Sequence, residues 1–446
     1  MGDKTLRNWV IVALTSASVL SLPCAGFSQE QGFPPAPPSF AEVDPAEAEL
    51  GWLLFYDPIL SGSKEVACAT CHHPRFGTSD GLSLGLGDGA HGLGPDRKPD
   101  PKNMPEERVP RNATALFNLG AAEFTHMFHD GRLEADPSRP SGLRTPLEDD
   151  MVVGFDSALA AQAMFPVLSP DEMAGHYSEN DIAQAVRQGF LTGENGAWEK
   201  ISARVAAIPD YRQRFDAVIG AGEAIHFTDI ANAIAAFISV EWRADDSPFD
   251  RYLRDGAPLQ AQAMAGLKLF YGKGGCSRCH SGPFQTDHQF HAIAMPQIGP
   301  GKKGRFESHY HDMGRMRVTG RPEDAYRFRT PPLRNVTQTA PYGHDGAYAT
   351  LEAVVRHHLD PVASLRAYDP AQALLPDLPG HDDWLAISDT NELSAIAAAN
   401  ELEPLALTEA EIAQLVAFLG ALTDDQSLKG RRGVPKSVPS GLPVDQ

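Results

Sequence analysis

Cys68-Ala69-Thr70-Cys71-His72 and Cys276-Ser277-Arg278-Cys279-His280 are the two stretches on which the reading of this chain turns. In each, a Cys-x-x-Cys pair is followed at once by histidine. That is the signal for c-type haem attachment: the thiols bond the haem edge, and His72 or His280 becomes an axial ligand of the iron. Paired cysteines at this spacing also hold zinc. The immediate histidine in both copies, and the signs of export described below, favour haem. Two covalently held haems restrict the chain to electron transfer or haem redox catalysis.

The flanks of the two motifs repeat. Gly51-Trp52-Leu53-Leu54-Phe55-Tyr56 precedes the first, and Gly266-Leu267-Lys268-Leu269-Phe270-Tyr271 precedes the second. Pro74, Phe76, Thr78 and Asp80 follow the first copy; Pro283, Phe284, Thr286 and Asp287 follow the second. Glu47 to Tyr56 and Gln260 to Tyr271 carry apolar residues at helical spacing. The repeat predicts two related haem domains. Helical periodicity also runs through Asp181 to Phe190, Asp210 to Ile219, Thr228 to Trp242, Leu351 to Leu359 and Glu409 to Leu422, the last with Thr408 and Glu411 as a capping box. Strand alternation is scarce, so the expected fold is mainly α, with two cytochrome-c-like haem domains in one chain.

The first residues read as an export signal over 1–28: Lys4 and Arg7, an apolar run from Trp9 to Pro23, then small Ala25, Gly26 and Ser28. The run is short for a membrane span. Residues 29–44, with Gly32-Phe33-Pro34-Pro35-Ala36-Pro37-Pro38-Ser39, read as a linker. The expected domains are 45–246 and 247–425, divided after Asp245-Asp246, and the Gly-, Pro- and Lys-rich tail 426–446 reads as disordered. Of five cysteines, Cys24 lies in the leader and the other four belong to the haem motifs, leaving none for a disulfide. Haem attachment through thiols suits an extracytoplasmic, periplasmic compartment. The net charge of −20 disfavours nucleic acid and suits a basic redox partner, although solubility explains it equally well.

Further motifs lie in order along the chain. They are Arg111-Asn112-Ala113-Thr114 with Phe117-Asn118, Phe128-His129-Asp130-Gly131-Arg132, and Gln162-Ala163 followed by Pro166, Pro170, Glu172 and Met173. Beyond the second haem motif come Phe328-Arg329-Thr330-Pro331-Pro332-Leu333-Arg334-Asn335 and Thr339-Ala340-Pro341-Tyr342-Gly343-His344-Asp345-Gly346. Together they resemble the bacterial di-haem cytochrome c peroxidase family, which includes MauG-type protein oxidases, from about Glu47 to Leu422.

The resemblance implies that the first haem, with His72 proximal, reacts with hydrogen peroxide, that Glu172 is the catalytic acid and Gln162 a pocket residue. A carboxyl that takes a proton from one oxygen and returns it to the leaving one suits that chemistry. Read locally, Ser169-Pro170-Asp171-Glu172 is instead a capping box. For the second haem the resemblance places the distal ligand at His358. His357 would point about 100° away around the helix; Met313 and Met316 are alternatives, and a dipole-capping histidine at the helix end is the plain reading of His358. The resemblance further implies a calcium ion between the domains, with Asn112 as side-chain ligand and Thr339 and Pro341 as carbonyl ligands, and a homodimer as the common assembly.

The chain departs from the family in three places. His129 stands where a tryptophan between the haems is usual, Leu133 to Ala158 forms an insertion, and Gly343 replaces a bulkier residue before His344. His91, in the Gly-rich stretch from Ser83 to Arg97, is a candidate distal ligand of the first haem or a surface residue. The expected function is peroxide reduction with electrons from a small c-type cytochrome or cupredoxin. The alternatives are a MauG-like oxidase acting on side chains of a partner protein, and a non-catalytic di-haem electron carrier.

Overall fold

The computed structural model describes residues 38–446, apart from 177–178 and 304–306. The proposed leader and most of the linker lie outside the described residues. What is described is mainly helical, with short two- and three-residue strands.

The repeat seen in the sequence is built as one helix crossing, made twice. Helix α1 (Pro45–Phe55) packs against α2 (Phe227–Glu241), and α3 (Ala261–Phe270) against α5 (Glu409–Gly420); α4 (Leu351–Leu359) lies between these last two in the chain. The reason is glycine at the crossing point. A Cβ on Gly51 would lie 1.7 Å from the Ala233 carbonyl oxygen, and one on Gly266 would lie 1.8 Å from that of Gln414. Only a bare backbone permits so close an approach. Aromatic residues then fill the same corner of each crossing. Phe55 meets Phe237 at 5.3 Å and Trp242 at 5.2 Å, while Phe270 meets Phe418 at 5.1 Å and Phe249 meets Phe418 at 5.3 Å. Each crossing centres its own hydrophobic cluster. The capping box of α5 forms as expected, with Thr408 N to Glu411 Oε2 at 2.8 Å and Glu411 N to Thr408 Oγ1 at 3.3 Å.

The Leu133–Ala158 insertion is ordered. Leu133–Ala135 pairs with His126–Met127 and with Leu143–Arg144 in a small antiparallel sheet, and Leu133, Leu143 and Met151 enter the first core.

Buried charge holds the two halves together. Arg111 grips Asp312 with two parallel bonds, Nε to Oδ2 at 2.7 Å and Nη2 to Oδ1 at 2.8 Å, and its Nη1 lies 2.7 Å from Asp130 Oδ2. Burial alone would raise the two carboxyls, but Arg111 more than offsets it: Asp312 falls to about 2, and Asp130, also facing Arg132, falls well below the usual carboxylate range. Arg108 makes a second bridge to Asp383 at 2.8 Å.

The expected disorder of the tail from Gln426 is not found. Asp425–Lys429 is helical, and the chain then runs back over the first half. Arg432 N and Gly433 N donate to the buried Glu241 carboxylate, Trp52 Nε1 donates to Gly433 O at 2.7 Å, Ser440 Oγ donates to Asp57 Oδ1 at 2.7 Å, and Thr70 Oγ1 donates to Asp445 Oδ2 at 2.9 Å. Val438 is buried in the first core. Gly and Pro content signals the lack of regular structure, but it does not report the polar partners waiting on another surface.

Deleting residues 431–446 removes these bonds and exposes Glu241 and Asp57. The expected result is a melting temperature lowered by several degrees with the helical circular dichroism retained. Arg111→Met strands two buried carboxylates and is expected to cost about 3–5 kcal/mol in denaturant unfolding. Because the folded-state pKa values of Asp130 and Asp312 are depressed, their stabilisation is complete above about pH 4 and is lost as pH falls toward about 2. Wild-type melting temperature should drop across that window, and the drop should be smaller in Arg111→Met.

Candidate active site

Cys68–Cys71 forms a single helical turn, and Cys276–Arg278 a tight 3-10 turn. These turns bring both thiols of each pair to one side, and none of the four is in a disulfide. Burial pushes Cys68 and Cys71 up to about 12 and Cys276 up to about 11. The histidines that follow are pinned in the same manner. His72 Nδ1 donates to Thr78 O at 3.1 Å, and His280 Nδ1 donates to Gln285 O at 3.0 Å. Thr78 and Gln285 both adopt positive φ, which turns their carbonyls back toward the rings. A histidine whose Nδ1–H is held by a carbonyl presents Nε2 as a lone pair, the tautomer that binds metal. Burial keeps both rings neutral, with His280 lowered to about 4.

Opposite His280 stands His358, on α4, with ring centres 6.3 Å apart. Two imidazoles sharing one iron require a separation of roughly 6 Å, so the pair fits a haem iron between them. His358 Nδ1 donates to Val354 O at 2.7 Å, leaving Nε2 for the site. His357 is turned away and fully used: Nε2 donates to Ile293 O at 2.7 Å, and Nδ1 accepts from Tyr348 Oη at 2.9 Å. Met313 packs with Tyr326, Leu365 and Ile396, and Met316 opens a short helix. The donor set on this side is thus two thiols and two neutral imidazoles, which suits a c-type haem.

The surroundings of His72 differ. The group that raises its proton affinity through space is Glu172, which also acts on Cys71. Glu172 sits in a wide π-turn, Pro170–Ala174. The alternative capping box is not formed, since the Ser169 side chain makes no cap bond. The turn is held against the Gly-rich loop: a Cβ on Gly87 would lie 2.2 Å from Asp171 O and 2.5 Å from Glu172 O. That loop is itself pinned by Arg97, which donates to the carbonyls of Leu86, Gly87 and Gly92. Beside Glu172, Asp171 is raised to about 6, by burial first. Gln162 ends the short helix Ala158–Gln162, and its Oε1 is buried without a hydrogen-bond partner among the described residues. His91 is not brought to this place. Its side chain is 57 % exposed and pairs with Asp100 at 3.2 Å.

Between the two haem motifs lies His129, with Nε2 at 3.1 Å from Thr114 Oγ1 and 3.2 Å from Asn112 O. Burial, reinforced by Arg111, lowers it to about 4, so the ring is neutral. Asn112 N donates to His344 O at 2.9 Å, and its side-chain amide donates to Leu82 O at 2.8 Å. Thr339 lies across the same seam against Gly77.

The sequence reading missed three residues here: Asp312, Arg329 and Lys302. Lys302 comes from the second half. Burial, with Arg132 and Arg111 nearby, lowers it to about 8, and Glu172 pulls the other way. No local pattern assigns these residues their partners, because each acts on groups far away in sequence.

Residues 45–257 match the family model described as di-haem cytochrome c peroxidase. The chain is 31% identical over 72% of its length to the methylamine utilization protein MauG of Methylorubrum extorquens, covering 71% of that protein. It is 30% identical over 72% of its length to the cytochrome c551 peroxidase of Pseudomonas aeruginosa, covering 76% of it. The crystal structure of a diheme peroxidase from Burkholderia thailandensis superposes with a TM-score of 0.55 at 23% identity, covering 91% of each chain, a likeness of fold. With its helical fold, its two pinned histidines and these relatives, the chain belongs to the di-haem cytochrome c peroxidase family of oxidoreductases.

Proposed function

We propose that the protein reduces hydrogen peroxide to water with electrons from a small redox protein, a c-type cytochrome or cupredoxin. The observation that carries this is an asymmetry. His280 faces a second imidazole, His358, whereas among the described residues no histidine ring pairs with that of His72, and the group acting on it is a carboxyl. An electron carrier would saturate both irons; the His72 side is arranged for chemistry.

In this reading haem is attached through Cys68 and Cys71 on one side and Cys276 and Cys279 on the other, and supplies the iron at which peroxide reacts and the centre that relays electrons. His72 would hold the iron of the first haem, and His280 with His358 that of the second. Glu172 takes the proton from the nearer peroxide oxygen and returns it to the farther one, which leaves as water. The Gln162 amide orients the bound peroxide. Two electrons and two protons complete the conversion to two waters. Haem domains at 45–246 and 247–425, a calcium ion held by Asn112, Thr339 and Pro341, a homodimer and a periplasmic location belong to the same reading. Among the described residues no helix is long and apolar enough to cross a membrane.

A second reading, oxidation of side chains on a partner protein, uses the same site; it is supported by the 31% identity to MauG and by His129 standing where the family usually has a tryptophan. Turnover of reduced cytochrome c with peroxide separates the two, because a protein oxidase would leave the cytochrome unconsumed.

Glu172→Gln is expected to lower kcat/KM for hydrogen peroxide by about 100-fold or more while haem content stays unchanged, measured by stopped-flow and pyridine haemochrome. A loss of less than about threefold would remove Glu172 from the mechanism. His358→Met is expected to raise the potential of one haem by on the order of 0.1 V. His357→Phe should leave both potentials in place, and spectroelectrochemistry reads the difference.

A further inference from the structure

Among the described residues, Arg329 is a buried cation without an anion. Its residue is 7% exposed, its Nη1 has no hydrogen-bond partner among the described residues, and its Nε reaches only the Phe128 carbonyl, at 3.3 Å. The other buried arginines are provided for. Arg108 pairs with Asp383 at 2.8 Å, Arg111 with Asp312 at 2.7 Å, Arg315 with Glu134 at 3.2 Å and Arg334 with Asp250 at 2.8 Å. Arg97 spends its guanidinium on three carbonyls. Burial is the one influence on Arg329, and it lowers the group to about 10. A buried guanidinium that has neither a counter-ion nor, like Arg97, a set of carbonyl acceptors is costly to keep unless something negative arrives.

Its position narrows what that is. Strand β2 (Phe328–Arg329) pairs with β1 (Phe290–His291), and β1 begins ten residues beyond His280. Arg329 N donates to His129 O at 2.7 Å, and the next carbonyl, Thr330 O, accepts from Thr286 Oγ1 at 2.7 Å. On its other side His129 lies against Thr114, whose backbone acts on His72. The guanidinium therefore stands between the segments that carry the two haem motifs. The charged and titratable groups facing it are few. His129 and His126 are lowered in its field, Arg111 adds to the positive charge, and Asp130 is already committed to Arg111 and Arg132.

We infer that Arg329 is the anchoring site for a carboxylate of the bound haem, so that a propionate side chain, held ionised between the two halves, completes the seam. This rests on the haem reading above. The carboxylate supplies the missing partner, the guanidinium offers it a planar pair of donors, and ion pairing keeps it deprotonated well below neutrality.

The test uses the holoprotein, with haem content measured first; a protein without two haems per chain would sink the haem reading rather than this inference. In wild type grown with carboxyl-labelled haem precursor, redox-difference infrared spectra from about pH 5 to about pH 9 should show at least one labelled carboxylate that stays ionised throughout. In Arg329→Met that band should titrate within the range, and the potential of one haem should become pH-dependent. Arg329→Lys should restore most of the wild-type behaviour, as a structural role for the guanidinium alone would not. The inference is overturned if every labelled carboxylate of the wild type already titrates in the range, if Arg329→Met leaves bands and potentials unchanged, or if the potential of the wild type follows added phosphate, which would make the partner a free anion. Should Arg329→Met fail to fold, Arg329→Gln, which keeps a planar amide but no charge, is read in its place with the same outcomes.

Discussion

A carbonyl oxygen on a left-handed residue, placed under the Nδ1 of a histidine, is the interaction from which the rest of this molecule follows. It occurs at Thr78 and again at Gln285, and each time it decides which ring nitrogen is left bare. The helix crossing at Gly266 brings Phe270 to 6.5 Å from the His280 ring, and Cys68 and Cys276 pack against the clusters that the two crossings centre. The same device is used twice, and the proposed difference in function rests on what accompanies each ring: an imidazole facing His280, and the Glu172 carboxyl whose charge reaches His72. Equal halves thus acquire unequal tasks through a handful of distal residues, without any change in the way the proximal ligands are presented.

Much of this was legible from residue order. The haem motifs are local, and so is the repeat around them, because helix, turn and ligand follow one another within a short stretch. The choice between His357 and His358 was also legible, since adjacent residues on a helix face different directions; the two rings indeed meet opposite fates, one absorbed by Tyr348 and Ile293, the other turned to His280. The local pattern misled at Ser169–Glu172. The residues of a capping box are present, but the π-turn that they occupy leaves the box unformed. The order of the last residues was equally hidden, because Glu241, Trp52 and Asp57 are hundreds of positions away.

What could not be read is the seam. Asp312, Lys302 and Arg329 carry no motif that assigns them a charge partner, and their meaning appears only when two distant halves are laid side by side. Burial there raises the stakes of each charge, so pairs that close well, such as Arg111 with its two aspartates, lock the halves. The residues that do not close mark where something else must come. The neutral ring of His129 sits within that charged seam because burial and the adjacent guanidiniums make its protonation unfavourable.

The path of the last residues bears on the order of assembly. Asp445 bonds to Thr70, inside the first attachment turn, across 375 positions of sequence. Enclosing the turn of the first pair of thiols therefore requires residues that follow the second pair in the sequence. Until that later segment docks, the turn stays open to chemical modification, and docking shields it.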